Sequence, residues 1–149
     1  MLARVRTSLD EKDRGFTLIE LLVVMIIIGI LAAIAVPVFL SQRAKARDTA
    51  TKSDVSNIGK ELATYYVDGS GTGLTVTYAA GTPPTITIAD TAGYSSGVIK
   101  LSNGTTQPAT GASASLTSPT GWCVSLTNAD GSTKDFKYSA AGGMQSGHC

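Results

Sequence analysis

The sequence predicts an α+β fold, in which one long amino-terminal α-helix packs on a small antiparallel β-sheet. Residues 21–40 contain no charged side chain and run without a turn signal into an amphipathic segment. Beyond Asp68 the chain changes to short β-branched runs separated by Gly, Pro and Asn. A chain of 149 residues is long enough for one compact domain and too short for two of ordinary size.

The first half of the predicted helix is an apolar anchor. Twenty helical residues span about 30 Å, which matches the hydrocarbon core of a bilayer. We therefore expect residues 16–40 to be inserted in a membrane at some stage. Pro37 cannot donate a hydrogen bond to the carbonyl of Ala33, and Gly29 lowers helix propensity. The helix is expected to kink or loosen in this stretch.

The second half of the helix, residues 41–67, is predicted to face the core of the domain with one stripe. Its apolar residues recur at three-four-three spacing with charged residues between them, and they are Val55, Ile58, Leu62 and Tyr65. Asp68 and Gly69 supply the stop signal. A helix from Phe16 to about Val67 would be on the order of 75–80 Å long.

The remaining residues, 68–149, are predicted to form strands and loops. Five β-rich runs are expected to form an antiparallel meander, namely residues 74–78, 85–88, 98–101, 122–126 and 136–138. Turn signals lie at residues 81–84, 103–104 and 128–131. Asn103-Gly104-Thr105 is formally a glycosylation acceptor, although a hairpin turn at Asn103-Gly104 explains it better. The Ser/Thr/Gly/Ala tract of residues 105–120 is predicted to be a surface loop.

The charges and titratable residues give no sign of an enzyme or of a polyanion-binding surface. Charged residues are 15% of the chain and the formal charge is +1, so no strong nucleic-acid site is predicted. One His, two Cys and scattered carboxylates provide no nucleophile–base pair and no metal-ligand spacing. We predict no catalytic residue, no metal and no cofactor, and we interpret His148 as a solvated terminal residue.

The two cysteines, Cys123 and Cys149, both lie in the polar half of the chain. A single pair in an exported domain is most simply a disulfide, which would stabilise the fold by roughly 3–4 kcal/mol in the chain-entropy model. Two reduced, inert thiols are the alternative.

The segment before the anchor differs from a secretory signal peptide, which would place a small-residue cleavage site after the apolar run. Here the residues Arg14-Gly15-Phe16-Thr17-Leu18-Ile19-Glu20 lie just before that run. Together with the apolar stretch as far as Pro37, they resemble the precursor motif of type IV pilins and pseudopilins. The resemblance covers Arg14 to about Tyr66 and extends to the remainder only in outline.

The resemblance implies that residues 1–15 are a leader, that a membrane peptidase cuts between Gly15 and Phe16, and that it methylates the new amine of Phe16. The leader holds four basic and three acidic residues, so the mature chain would carry eight of each. Residues 16–40 would then be the transmembrane and assembly half of the helix. Residues 41–149 would be the globular domain, made of the amphipathic helix half (41–67) and of the sheet and loops (68–149).

Glu20 is the residue that physics singles out in this motif. A carboxylate in a membrane helix costs roughly 2.5–3.5 kcal/mol even on the lenient insertion scale. The resemblance implies that Glu20 pairs with the amine of Phe16, in its own chain or in a neighbouring copy, and so sets subunit register. Gly29 and Pro37 are either a tolerated kink or a segment that stretches or melts when copies pack into a fibre.

The function implied is that of a structural subunit of a type IV pilus, used for adhesion, motility or DNA uptake. The alternatives are a pseudopilin of a type II secretion or competence machine, or a minor or tip pilin with a binding role. Implied partners are copies of the chain itself, the prepilin peptidase, an inner-membrane assembly platform and its ATPase. Before assembly the partner would be membrane lipid. The implied locations are the inner membrane and then the extracellular filament.

Three basic residues after the anchor, Arg43, Lys45 and Arg47, complicate the orientation. A simple positive-inside count would place the globular part in the cytoplasm. The precursor motif and the cysteine pair favour the opposite side. We expect the three cations to form a solvated stripe or to contact lipid headgroups.

Overall fold

The computed structural model describes residues 15–68, 73–108, 114–116 and 118–149. It contains one helix, α1 (Leu18–Asp68), and eight described strands. The strands are β1 (Thr75–Ala79), β2 (Thr85–Ala89), β3 (Ile99–Lys100), β4 (Thr105–Thr106), β5 (Ala114–Leu116), β6 (Trp122–Asn128), β7 (Asp135–Ser139) and β8 (Gly143–Ser146). The predicted α+β class, a long amino-terminal helix with antiparallel β-structure, is confirmed.

The strands form two sheets, whereas the sequence predicted a single meander. The first sheet has the order β1-β2-β3, and the second has the order β4-β6-β7-β8 with β5 also paired to β6. The residues that divide them are Asn103-Gly104, which were predicted to form a hairpin. They do form a turn, in which Thr105 N–H donates to the Ser102 carbonyl at 3.0 Å and Gly104 has φ 83°. However, β3 pairs with β2 and β4 pairs with β6, so this turn connects two sheets.

The prediction of a surface loop over residues 105–120 is wrong for residues 105–106 and 114–116, whereas residues 107–108 and 118–120 are indeed outside any strand. The start of the tract forms β4 and its later part forms β5, while residues 109–113 and 117 lie outside the described residues. Both strands pair with β6, β4 opposite Asn128 and Thr127, and β5 opposite residues 122–124. A seven-residue strand is therefore flanked on one side by two short strands that lack any periodic pattern of their own.

The core of residues 41–149 lies between the second half of α1 and the inner faces of the sheets. The predicted stripe is fully buried, since Val55, Ile58 and Leu62 are 0% exposed and Tyr65 is 1% exposed. The other apolar residues of the core come from the strands and nearby loops, namely Ile86, Ile88, Leu101, Trp122, Val124, Leu126 and Phe136. The helix approaches β7 closely at Gly59, where a Cβ would lie 2.5 Å from the ring of Tyr138.

Polar side chains of the same helix half hold the loops. The buried Asp48 carboxylate accepts the N–H groups of Thr133 (2.9 Å) and Lys134 (3.3 Å) in the turn between β6 and β7. The buried Asp54 carboxylate accepts the N–H of Ser102 at 2.7 Å and its hydroxyl at 3.1 Å. These bonds satisfy backbone donors that would otherwise lack partners inside the fold.

Two tyrosine–carboxylate bonds dock the loop between β2 and β3 onto the helix. Tyr65 donates to Asp90 at 2.7 Å, and Tyr94 donates to Glu61 at 2.6 Å. The Tyr65 hydroxyl and nearby backbone N–H groups lower the pKa of Asp90. Burial, with the Glu61 carboxylate acting in the same direction, raises the pKa of Tyr94 to about 12. Each bond joins one helix residue to one loop residue. The carboxylate belongs to the loop in the first bond and to the helix in the second.

Candidate functional site

The amino-terminal end of α1 is capped by side chains. The helix begins at Leu18, so Thr17 is the residue that caps it. The Glu20 carboxylate oxygen Oε2 accepts both the N–H and the hydroxyl of Thr17 at 2.7 Å, and the Thr17 hydroxyl accepts the N–H of Glu20 at 3.3 Å. This reciprocal pattern is a capping box, which satisfies two donors at a helix end.

The capping role of Thr17 was missed in the sequence, although the signal is present. A Thr followed three residues later by Glu, directly before an apolar run, is the sequence signature of a capping box. The structure thus gives Glu20 a contact within its own chain. Glu20 is exposed, and its oxygen Oε1 has no hydrogen-bond partner among the described residues.

The bond between Gly15 and Phe16 lies just outside the helix. Both residues are exposed and have no regular secondary structure, and the Phe16 side chain is 83% exposed. A Cβ placed on Gly15 would meet no atom within 4 Å. The peptide bond between them is therefore exposed and outside regular secondary structure.

The surface of the anchor half is apolar and uncovered. Residues 16–40 carry large apolar side chains whose exposed fractions range from 45% to 83%. One helix, whose candidate span runs over Leu18–Val67, is long and apolar enough to cross a membrane. Gly29 and Pro37 both lie inside this uninterrupted helix, and a Cβ on Gly29 would again meet no atom within 4 Å.

The carboxyl-terminal end of the chain is fixed by a disulfide between Cys123 and Cys149, whose Cα atoms are 5.8 Å apart. Cys123 lies on β6, whereas Cys149 follows β8, which pairs with β7 and not with β6, so residues 147–149 bring the end of the chain back to β6. His148 is not simply solvated, because its Nε2 lies 3.6 Å from Asp135 Oδ2 and its Nδ1 is buried. The bond closes β6, β7 and β8 into one covalent loop.

Within the described residues, no group of three or more His, Cys, Asp or Glu side chains could hold a metal ion. Five acidic residues of the domain serve the structural contacts described above, namely Asp48, Asp54, Glu61, Asp90 and Asp135. The chemically distinctive region is therefore the amino-terminal one, with an accessible peptide bond, a capped carboxylate and an uncovered apolar helix.

Comparison with known proteins agrees with this assignment. The family profile described as the prokaryotic N-terminal methylation motif matches residues 11–36. Core protein G of the type II secretion system of Pseudomonas aeruginosa is 46% identical over 58 residues, which are 39% of this chain and 41% of the relative. The type IV major pilin protein PilA of Myxococcus xanthus is 48% identical over 46 residues, which are 31% of this chain and 21% of the relative.

A third relative is the type IV wide pilus major component PilA4 of Thermus thermophilus, which is 42% identical over 57 residues. These are 38% of this chain and 44% of the relative. The chain thus spans between about a fifth and less than half of the length of the curated relatives it matches. No solved structure gives a significant match to the chain.

The motif and the fold together define a class, the prokaryotic proteins that carry an amino-terminal methylation motif at the start of a long apolar helix. Within that class, the amino-terminal part of the chain is similar to the type IV pilin and pseudopilin precursors.

Proposed function

We propose that this chain is a structural subunit of a type IV pilus, cut after Gly15 and assembled through residues 16–40. The observation that carries the proposal is the anchor half of α1, whose large apolar side chains are all at least 45% exposed. Fully burying one Val, Leu or Ile side chain is worth about 1.5–3 kcal/mol. Such a surface requires lipid before assembly and other copies of the chain afterwards.

The same proposal divides the chain into a leader (1–15), an anchor and assembly segment (16–40) and a globular domain (41–149). A prepilin peptidase would remove the leader and methylate Phe16. The processed subunit would wait in the inner membrane, and an assembly platform with its ATPase would add it to an extracellular filament. The proposal assigns the chain no catalytic role and no cofactor.

In the filament, Glu20 would pair with the amine of Phe16 of an adjacent copy. Two charges that an apolar surrounding penalises would neutralise each other. The capping box supports an intermolecular partner, because Thr17 occupies Oε2 and leaves Oε1 exposed on the helix surface. Such a pair would fix the register of one helix against the next.

The role of Glu20 is tested with two substitutions. Glu20→Ala removes both the charge and the capping acceptor, whereas Glu20→Gln removes the charge and keeps an acceptor for Thr17. If charge pairing sets register, both variants are processed and held in the membrane, yet yield few sheared filaments. Normal filament yield from Glu20→Gln with loss only in Glu20→Ala would assign the effect to capping and contradict the pairing.

The second candidate function is that of a pseudopilin of a secretion machine, which the match to core protein G of Pseudomonas aeruginosa favours. The experiment that separates the two is to shear the producing cells and to determine by mass spectrometry where the chain begins in each fraction. A methylated chain that starts at Phe16 in the filament fraction supports a pilus subunit. A processed chain confined to the membrane supports the pseudopilin or a minor subunit, and a chain that starts at Met1 in every fraction contradicts both.

A further inference from the structure

We infer that Arg43 and Lys45 form a docking site for the headgroups of anionic phospholipids while the subunit is in the membrane. The inference rests on the proposed membrane-inserted stage. It concerns the stretch of α1 directly after the anchor, where the chemistry of the sequence changes from apolar to basic.

The positions of the two cations agree with the dimensions of a bilayer. If residues 21–40 fill the hydrocarbon core of about 30 Å, then Arg43 and Lys45 follow about 4.5 Å and about 7.5 Å later at the helical rise. The headgroup layer on each side of a bilayer is roughly 5–7.5 Å thick. Both cations therefore lie at the depth of the lipid phosphates.

Along the helix, the basic residues nearest the anchor lack internal partners, whereas two of those that follow have them. Arg43 and Lys45 are exposed and have no ion pair or hydrogen bond from their side chains among the described residues. Arg47, about one helical turn after Arg43, is half-buried and pairs with Asp130. Lys52 lies over the ring of Phe136 at 4.9 Å from its centroid. Arg43 and Lys45, which lack an internal partner among the described residues, are therefore the cations placed to reach the headgroups.

No acidic residue lies close to Arg43 and Lys45 along the helix. Residues 21–47 contain neither Asp nor Glu, and the next acid, Asp48, is buried and hydrogen-bonded to Thr133 and Lys134. Arg43 and Lys45 are about 200° apart around the helix, so they point to different sides. A bilayer surrounds an inserted helix, so both can extend their flexible stems to phosphates.

The test places the full chain in nanodiscs of mixed phosphatidylcholine and phosphatidylglycerol. Native mass spectrometry then measures which lipids remain bound after detergent extraction. The double variant Arg43→Gln/Lys45→Gln is compared with Lys60→Gln, since Lys60 is an exposed cation on the same helix without a described side-chain partner. The basic residues of the leader are identical in all three proteins, so they do not contribute to the difference.

We expect the unaltered chain to retain phosphatidylglycerol in preference to phosphatidylcholine. In the double variant this preference should fall about fivefold for each cation removed. Lys60→Gln should keep the preference, and added salt should reduce it in the unaltered chain. Circular dichroism of the variants should match that of the parent, because the substituted side chains are exposed and have no ion pair or hydrogen bond among the described residues.

An equal preference in the double variant and the parent, or an equal loss in Lys60→Gln, would overturn the inference. A chain that inserts but retains no phosphatidylglycerol preferentially contradicts the lipid site alone. A chain that does not insert into nanodiscs at all contradicts the proposed membrane stage as well.

Discussion

The two halves of α1 differ in what surrounds their apolar side chains. In the anchor half every large apolar residue is exposed, at 45% or more. In the second half the stripe of Val55, Ile58, Leu62 and Tyr65 is buried to 1% exposure or less. The first half is apolar on all sides, whereas the second is apolar on one stripe. The domain buries the apolar stripe of the second half within the chain, while the proposed function covers the first half with lipid or other copies.

The halves also differ in what their polar residues do. In the second half, Asp48, Asp54 and Tyr65 each hold a loop of the domain by hydrogen bonds. In the anchor half, the Glu20 carboxylate contacts only its own helix end among the described residues. Polar groups of the domain therefore contribute to its folding, and the proposed function uses the polar group of the anchor for assembly.

The sharpest test of this contrast substitutes one leucine in each half. Leu62→Ala should lower the free energy of unfolding by about 2–5 kcal/mol, because a fully buried side chain leaves a cavity. Leu31→Ala, at a site 62% exposed, should leave domain stability unchanged and reduce filament yield. Urea unfolding in detergent, followed by the fluorescence of the buried Trp122, measures both variants. An equal loss of stability in the two would contradict the contrast.

The second test addresses the polar contacts. Asp48→Ala should cost about 1–3 kcal/mol, because two backbone N–H groups lose a charged acceptor in a largely enclosed site. Asp130→Ala removes only the pair with Arg47, in which Asp130 is 68% exposed, and should cost 1 kcal/mol or less, about the usual value of a surface pair. Both are measured by the same urea titration. A larger loss in Asp130→Ala would mean that the turn is held mainly from the surface.

The third test compares two helix glycines. Gly59→Ala gains about 1 kcal/mol of helix propensity, yet the new methyl group would lie 2.5 Å from the Tyr138 ring. Overpacking costs about 1–3 kcal/mol, so we expect a net loss of roughly 1 kcal/mol. Gly29→Ala meets no atom within 4 Å and should not lower the melting temperature of the domain. Thermal unfolding of the two variants measures the difference, and an unchanged melting temperature in Gly59→Ala would show that the ring yields freely.

The smallest expected effect is a pH dependence of the loop between β2 and β3. The pKa of Tyr94 is raised to about 12 from an ordinary value of 10.0, so the folded state favours the neutral phenol. Its contribution to stability is fully present below pH 10 and is lost as the pH rises towards 12. Tyr94→Phe should remove this part of the alkaline decline in stability. An identical decline in the variant would assign it to other groups.

The acidic side of the same loop has the opposite sign. The pKa of Asp90 is lowered from 3.8, so the stability it contributes is present above that value and is lost as the pH falls. The carboxylate is solvent-accessible, so the effect is expected to be small, and Asp90→Asn provides the matched comparison with Tyr94→Phe.

Much of the fold was predictable from local pattern. The three-four-three spacing identified the buried helix stripe, and β-branched runs identified β1, β2, β6 and β7 to within a few residues. The helix boundaries differed from the prediction by two residues at the start and one at the end. These features could be predicted because the side-chain period of a helix or strand appears as a pattern in consecutive residues. The capping box at Thr17 was equally local, although its signal was not used.

Other features depend on partners distant in sequence. β4, β5 and β8 are short and rich in Thr, Ser, Ala and Gly, and they become strands because β6 or β7 offers them backbone hydrogen bonds. The turn at Asn103-Gly104 has the chemistry of a hairpin, but the pairing of its flanking strands divides two sheets. Local chemistry sets where a chain can turn, and long-range pairing sets which strands the turn connects.

The sequence by itself determined the anchor, the precursor motif, the core stripe of the helix and the fold class, since each is a pattern of neighbouring residues. Only the tertiary structure decided the division into two sheets and the role of the buried acids in holding loops. It also decided that Arg47 has an internal partner whereas Arg43 and Lys45 have none among the described residues. The physical reason is that burial and pairing depend on which distant backbone groups and charges the fold brings within hydrogen-bond distance.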